Sequence, residues 1–266
     1  MSSFLRKINI LTAERVASAQ AQTPLSALQD MPFYHRAPAR VQPAFVQDGW
    51  HIIAEVKFAS PSEGDIHPVD PAPASIAGGY LAAGATMLSV LTEPLYFKGR
   101  LDYLAAIRSA HGNARLLRKD FINDIYQLHE ARAYGADAVL LIVAMTGKAL
   151  THDLYHAARA LELDVLMEVH DAEELQIAVD TGADMIGVNN RNLKTLEIDL
   201  GIGRALAAQK PAHAAFICES GLGTPEEVRD MRGLGYDGFL MGTHFMRQQN
   251  PGAALAAFMK GLADES

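Results

Sequence analysis

The sequence predicts an α/β fold, a (β/α)8 TIM barrel with an N-terminal helical extension, and three observations carry that prediction. From residue 51 onward, eight short β-like runs alternate with amphipathic stretches of helical period. The triplets Gly135-Ala-Asp137, Gly182-Ala-Asp184 and Gly235-Tyr-Asp237 each stand just before a strand run, where glycine ends the preceding helix. At 266 residues the chain suits one large domain, near the ~250 usual for such barrels. An open doubly wound sheet is the second architecture that the alternation allows.

Residues 1–46 differ from the rest. Phe4, Leu5, Ile8 and Leu11 form a helical stripe, and Pro24, Pro32, Pro38 and Pro43 punctuate the remainder of the segment. The expectation is an N-terminal helical extension, 1–46, packed on a barrel, 47–266, in a single domain overall. Arg6-Lys7 and the apolar residues after it only faintly resemble a secretory leader, because the run is short and Glu14 and Arg15 interrupt it.

The strand runs are 51–57, 87–91, 115–119, 138–143, 164–169, 184–189, 214–219 and 238–241. In the first, Ile53, Glu55 and Lys57 share one face, and Ile52, Ala54 and Val56 share the other. Ser60-Pro61-Ser62-Glu63-Gly64 then breaks into a loop. Helix starts are signalled at Asp70-Pro71, a capping residue before proline. Asp171-Ala-Glu-Glu174 and Thr224-Pro-Glu-Glu227 place a cap three residues before a glutamate.

Bulk composition narrows the function. Apolar residues make up 49%, enough for a substantial core. A net charge of −8 argues against a nucleic-acid or anionic-membrane surface, so an anionic ligand would need positive charge concentrated locally. The single cysteine, Cys218, excludes an internal disulfide framework and a cysteine-rich metal site. The longest apolar run, 138–145, is strand-sized and too short for a membrane span, so the expected location is cytoplasmic.

Barrel enzymes keep their chemistry at the C-terminal ends of the strands. Lys119 follows Leu117 on one face of the third strand, Glu168 follows Leu166 on the fifth, and Glu219 follows Ile217 on the seventh. With Glu55 and Lys57, all five charges come from odd-numbered strands, whose inward side chains share layers. They should therefore meet as a small cationic bowl. The sixth strand adds Asn189 on its inner face and Arg191 in the next loop. Ser220-Gly221 and Gly242-Thr243 lie in adjacent loops whose backbone amides, with a short helix start, suit a phosphate.

Other patterns fail on context. Gly233-Leu-Gly-Tyr-Asp-Gly238 spells GxGxxG but precedes a strand instead of following one. His152 and His156 have helical metal-ligand spacing, yet lie on the outer layer with no acidic third ligand evident. No serine has a defensible His/Asp partnership.

At the strand ends the sequence closely resembles the indole-3-glycerol phosphate synthase family. The matching pieces are Ala54-Glu-Val-Lys57 with Ser60-Pro-Ser62, Ser89-Val-Leu-Thr-Glu93 with Tyr96-Phe97, and Leu117-Arg-Lys-Asp-Phe-Ile122. Met167-Glu-Val-His-Asp171, Gly187-Val-Asn-Asn-Arg-Asn-Leu193, Glu219-Ser-Gly221 and Phe239-Leu-Met-Gly242 come after these in the family's order. The resemblance implies a carboxy-lyase of tryptophan biosynthesis acting on 1-(2-carboxyphenylamino)-1-deoxyribulose 5-phosphate. It implies Lys119 as general acid, with its pKa depressed by desolvation and nearby cations. By the same carry-over, Lys57 meets the carboxylate and donates a proton during dehydration, Glu168 is the general base, and Glu55 orients the lysines. Asn189 and Glu219 would hold sugar hydroxyls, and Arg191 would order the charge network. Phe97 and Leu193 would sandwich the anthranilate ring, and Leu240 joins the substrate-binding set. Ser60, Ser220, Gly221, Gly242 and Thr243 would bind phosphate. No metal or cofactor is implied, and contact with other tryptophan-pathway enzymes is the one macromolecular partnership the resemblance leaves open.

The sequence departs from the family pattern at Phe58, Glu63 and Thr243-His244, which bears on loop behaviour and phosphate affinity. Two other readings stand beside this one: a related phosphate-binding barrel isomerase of phosphoribosyl compounds, and a non-catalytic barrel that binds a phosphorylated ligand or a pathway partner.

Overall fold

The structure, a computed structural model, describes residues 3–67 and 72–264. Each expected run holds one barrel strand, trimmed by at most one residue at either end. They are β1 Ile52–Val56, β2 Met87–Leu91, β3 Leu116–Lys119 and β4 Ala138–Ile142, then β5 Asp164–Val169, β6 Met185–Asn189, β7 Ala215–Glu219 and β8 Gly238–Met241. All neighbours pair in parallel, and β8 closes on β1. The barrel is closed, so the open-sheet alternative is ruled out.

Closure explains the burial of both faces of β1. Ile53, Leu117, Leu166 and Ile217 fill the barrel interior, whereas Ile52, Ala54 and Val56 pack under the helices. The helices are α1 Ser3–Gln22, α2 Leu25–Gln29, α3 Pro73–Ala82, α4 Leu101–Ala110, α5 Ile125–Ala133 and α6 Val143–Ala160. They continue as α7 Ala172–Thr181, α8 Leu200–Ala207, α9 Pro225–Gly233, α10 Thr243–Met246 and α11 Pro251–Ala263. None of the described helices is long and apolar enough to cross a membrane.

The caps agree with the sequence where it spelled them. Asp171 accepts the Glu174 amide, and Thr224 with Glu227 forms a reciprocal capping box. Asp124 with Gln127 makes a second box that the sequence pattern did not announce. The Asp70-Pro71 start lies outside the described residues; Pro73 occupies the first turn of α3 instead.

The Gly-x-Asp triplets prove to be joints at the bottom of the barrel. Gly135, Gly182 and Gly235 take φ of 85°, 83° and 105°, the left-handed turn that lets a helix end and reverse into a strand. Asp137 then accepts the Leu116 amide at 2.9 Å, and Asp237 accepts the Phe216 amide at 2.7 Å, stitching each strand to its predecessor. The segment before β1 is tied in here too. Arg36 and the Ala39 amide bind Asp137, and the Val41 amide binds Asp164 at 2.6 Å. Above it, Leu5 and Ile8 of α1 share the interior cluster with the barrel strands.

Candidate active site

Five charges from β1, β3, β5 and β7 meet at the top of the barrel, because inward residues of odd strands occupy one level. Lys57 Nζ lies 2.6 Å from Glu55 Oε2. Lys119 Nζ lies 3.1 Å from Glu219 Oε2 and 3.4 Å from Glu55 Oε1. Glu55 therefore bridges the two lysines. Glu168 faces Lys119 and accepts from Asn189, while its Oε1 lies 3.3 Å from His170 Nε2.

The glycines make room for these carboxylates. A Cβ on Gly187 of β6 would lie 2.0 Å from Glu219 Oε1, and one on Gly242 would lie 2.4 Å from Glu55 Oε2. Backbone must approach side chain closely at both places, which only glycine allows.

Electrostatics correct two expectations. Burial pushes Lys119 down, but Glu219, Glu55 and Glu168 outweigh it and raise its pKa above the ordinary lysine value. The depressed lysine expected from neighbouring cations is not found, because its neighbours are anions. Nor is the bowl cationic: Lys57, Lys119, Arg191 and Arg247 face Glu55, Glu63, Glu93, Asp120, Glu168 and Glu219 around one cavity of about 370 Å³.

The carboxylates differ among themselves. Burial raises Glu55, yet Lys57 and then Lys119 bring it down to about 2. Burial raises Glu219, Lys119 relieves it only in part, and the charges of Glu168 and Glu55 help leave it at about 7. Glu219 Oε1 is buried and has no hydrogen-bond partner. Burial also acts on Glu168, but His170, Lys119 and Asn189 hold it below the usual carboxylate value. One environment thus separates three chemically identical groups.

The remaining site residues line the same cavity. Phe97 and Leu193 border it with Phe121 and, from α1, Phe4. Leu240 is the inward residue of β8 and is buried beneath the opening. Arg191 donates to the Leu196 carbonyl at 2.9 Å, which holds its guanidinium against its own loop. Ser220, Gly221, Gly242 and Thr243 line it from the loops after β7 and β8, with α10 beginning at Thr243. Ser220 and Gly221 take φ of 63° and 88°, consecutive left-handed residues that turn the backbone out of β7.

Ser60 belongs to a two-residue hairpin, Ala59–Ser60 paired with Gly64–Asp65, where the sequence promised only a loop. Two ion pairs pin this hairpin: Glu63 with Arg247, and Lys98 with Asp65 at 2.6 Å. The Glu63 departure thus links the first loop to the last. His244 is packed edge-on against Phe258, with ring centroids 5.5 Å apart.

Sequence reasoning missed several lining or supporting residues, among them Phe4, Phe121, Arg247 and His170. Phe4 was visible only as part of a stripe, and His170 was visible as the residue two places after Glu168 on the same face. His152 and His156 do approach each other, Nε2 to Nε2 at 3.1 Å, on an exposed helix face. Among the described residues no group of three or more His, Cys, Asp or Glu could hold a metal.

Comparison with known proteins adds a family to this geometry. A family model described as indole-3-glycerol phosphate synthase matches residues 5–258. An indole-3-glycerol phosphate synthase of Laribacter hongkongensis is 45% identical over 96% of this chain and 98% of the relative. One from Salinibacter ruber is 44% identical over 92% and 91%. Among solved structures, 3-hexulose-6-phosphate synthase from Salmonella typhimurium superposes with a TM-score of 0.65 at 14% identity, covering 81% of this chain and all of that one (100%). The tryptophan synthase alpha subunit of Legionella pneumophila gives 0.60 at 14%, over 81% and 94%. These two show the barrel fold alone. The sequence relatives and the matched model go further, and the chain belongs to the indole-3-glycerol phosphate synthase family.

Proposed function

We propose that this cavity converts 1-(2-carboxyphenylamino)-1-deoxyribulose 5-phosphate to indole-3-glycerol phosphate, with Lys119, Lys57 and Glu168 carrying the protons. The observation that carries the assignment is the Lys57–Glu55–Lys119 bridge over a cavity lined both by aromatic side chains and by two glycine-bearing loops.

The ring carbon bearing the carboxylate attacks the ketone carbon, and the ketone oxygen takes the electron pair. Lys119, kept as ammonium by its three carboxylates, gives that oxygen a proton as charge develops. Carbon dioxide then leaves, and the electrons of the broken bond restore the aromatic ring. Lys57 faces the carboxylate during condensation and protonates the departing hydroxyl afterwards. Glu168 removes the proton whose loss completes the indole. Glu55 fixes the spacing of the lysines, Asn189 and Glu219 hold sugar hydroxyls, and Arg191 orders the loop after β6. Phe97 and Leu193 fix the ring's approach, while Ser60, Ser220, Gly221, Gly242 and Thr243 hold the phosphate. Residues 1–46 act as an extension of one domain with the 47–266 barrel, and Phe4 completes the apolar wall.

The test is the growth of indole fluorescence with this substrate. Lys119→Ala should lower turnover by ~10²–10⁴-fold, the usual worth of a positioned acid. Near-native turnover in that variant would overturn the assignment of the acid.

A further inference from the structure

We infer that His170 is a positioning residue for the general base: clamped between Glu168 and Glu174, its imidazolium keeps the Glu168 carboxylate ionised and aimed into the cavity. The inference rests on the reading of Glu168 as the base.

His170 comes directly after the last residue of β5 and is two places from Glu168, so both side chains leave the strand on one face. Its Nε2 lies 3.3 Å from Glu168 Oε1, and its Nδ1 lies 3.0 Å from Glu174 Oε2. The His170 backbone amide also donates to Glu174 Oε2 at 2.9 Å, so one carboxylate holds both ring and main chain. Glu174 is itself fixed at the start of α7, where its amide donates to Asp171 Oδ1 at 2.9 Å. The ring is therefore clamped from the helix side and presented to the base. On the Glu168 side the geometry is that of a charge contact, since Nε2 is not aligned for a directed hydrogen bond.

A neutral imidazole could donate to Glu174 alone and would bring no charge to Glu168, whereas the doubly protonated ring holds Glu174 through Nδ1 and attracts Glu168 as a cation. Burial works against that charge, but the flanking carboxylates Glu168 and Glu174 bring the ring to about 10. The need for it is also visible. Glu168 is 2% exposed and shares the cavity with Glu219 and Glu55. Buried carboxylates near like charges drift toward the protonated form, in which a base is idle. Lys119 is already shared between Glu219 and Glu55. The groups facing the His170–Glu168 pair are Lys119 from β3, Asn189 from β6, Glu219 from β7 and Glu174 from α7. Of these only Lys119 is a cation, so His170 supplies the second positive charge.

The test uses the whole chain and His170→Gln, which keeps a donor and drops the charge. Turnover should fall ~10-fold or more at neutral pH with KM little changed, and the acid limb of the kcat profile should move up by about one unit or more. A ¹³C titration of the Glu168 carboxyl, assigned by its absence in Glu168→Gln, should move in step. Single-turnover runs should accumulate the hydroxylated intermediate that precedes water loss. Glu174→Gln leaves the ring in place and removes its outer carboxylate, so it should give the same shifts in smaller measure, and it serves if His170→Gln does not fold. An unmoved Glu168 titration in these variants would overturn the role of His170 while leaving the base intact. Near-native turnover in Glu168→Gln would instead overturn the base itself.

Discussion

At the scale of single residues, the site depends on side chains that are absent. Gly187 leaves the space that the Glu219 carboxylate occupies, and Gly187→Ala would put a Cβ 2.0 Å from Oε1. Glu219 would have to swing away from Lys119. Since an ångström's misplacement of a substrate-positioning group costs ~10²-fold, kcat/KM should drop by about that factor while far-ultraviolet circular dichroism stays native. A loss of less than threefold would show that Glu219 has freedom the packing denies it. Lys119 gives a second prediction from its surroundings. Its pKa is raised by Glu219, Glu55 and Glu168, so it stays protonated as pH rises past the neutral range. The kcat/KM profile should show no alkaline limb from this lysine below its ordinary value of 10.5. A limb near 8 that disappears in Lys119→Ala would mean that the ammonium is less well surrounded than its contacts indicate.

The elements are joined by aspartates at the end of the barrel opposite the site. Asp137 is fully buried and receives Arg108 at 2.5 Å, Arg36 at 2.6 Å, the Ala39 amide and the Leu116 amide. Removing one member of such a network leaves buried charge without a partner. Asp137→Ala should therefore cost about 3–5 kcal/mol in a urea titration, against about 1 kcal/mol for the capping substitution Thr224→Ala. Equal losses would mean that the arginines find new partners. The triplet containing Asp137 was legible in the sequence, but only its glycine had a local meaning there. The carboxylate's partners come from residues 36, 39, 108 and 116, and no local rule pairs a proline-punctuated segment with a strand bottom a hundred residues away. The eight strands were legible because period-two alternation is a local signal, and the inward charges were legible for the same reason. His170 fits that alternation as well, but its significance depends on Glu174, which reads locally as nothing more than a cap partner. Phe4 reaches the cavity only because α1 docks on the barrel, a long-range event. Even the direction of the Lys119 shift comes from neighbours on β1, β5 and β7, which could be placed at one level but not given distances.

For the molecule as a whole, gathering three carboxylates and two lysines in a buried cavity sets function against stability. The two best-defined carboxylates pull in opposite directions. Glu55 has a folded pKa of about 2, below its ordinary 4.5, so its contribution to stability is present above 4.5 and is lost as pH falls toward 2. Glu219 has a folded pKa of about 7, above its ordinary 4.5, so the fold binds its proton more tightly than the unfolded chain does. That contribution is present below 4.5 and is lost as pH rises through 7. Above that pH the protein carries a buried charge it would be more stable without. Glu219→Gln keeps the shape of the neutral form and should raise stability at pH 8, by up to about 3 kcal/mol. At pH 5 most of that gain should vanish, because Glu219 is then largely protonated in the native protein. Activity should fall at pH 8, where the amide cannot reproduce the charged contact with Lys119, and fall less at pH 5. Thermal melts of the two proteins at pH 5 and pH 8 check the sign directly. A variant less stable than the native chain at pH 8 would show that the Lys119–Glu219 contact outweighs the burial of its carboxylate.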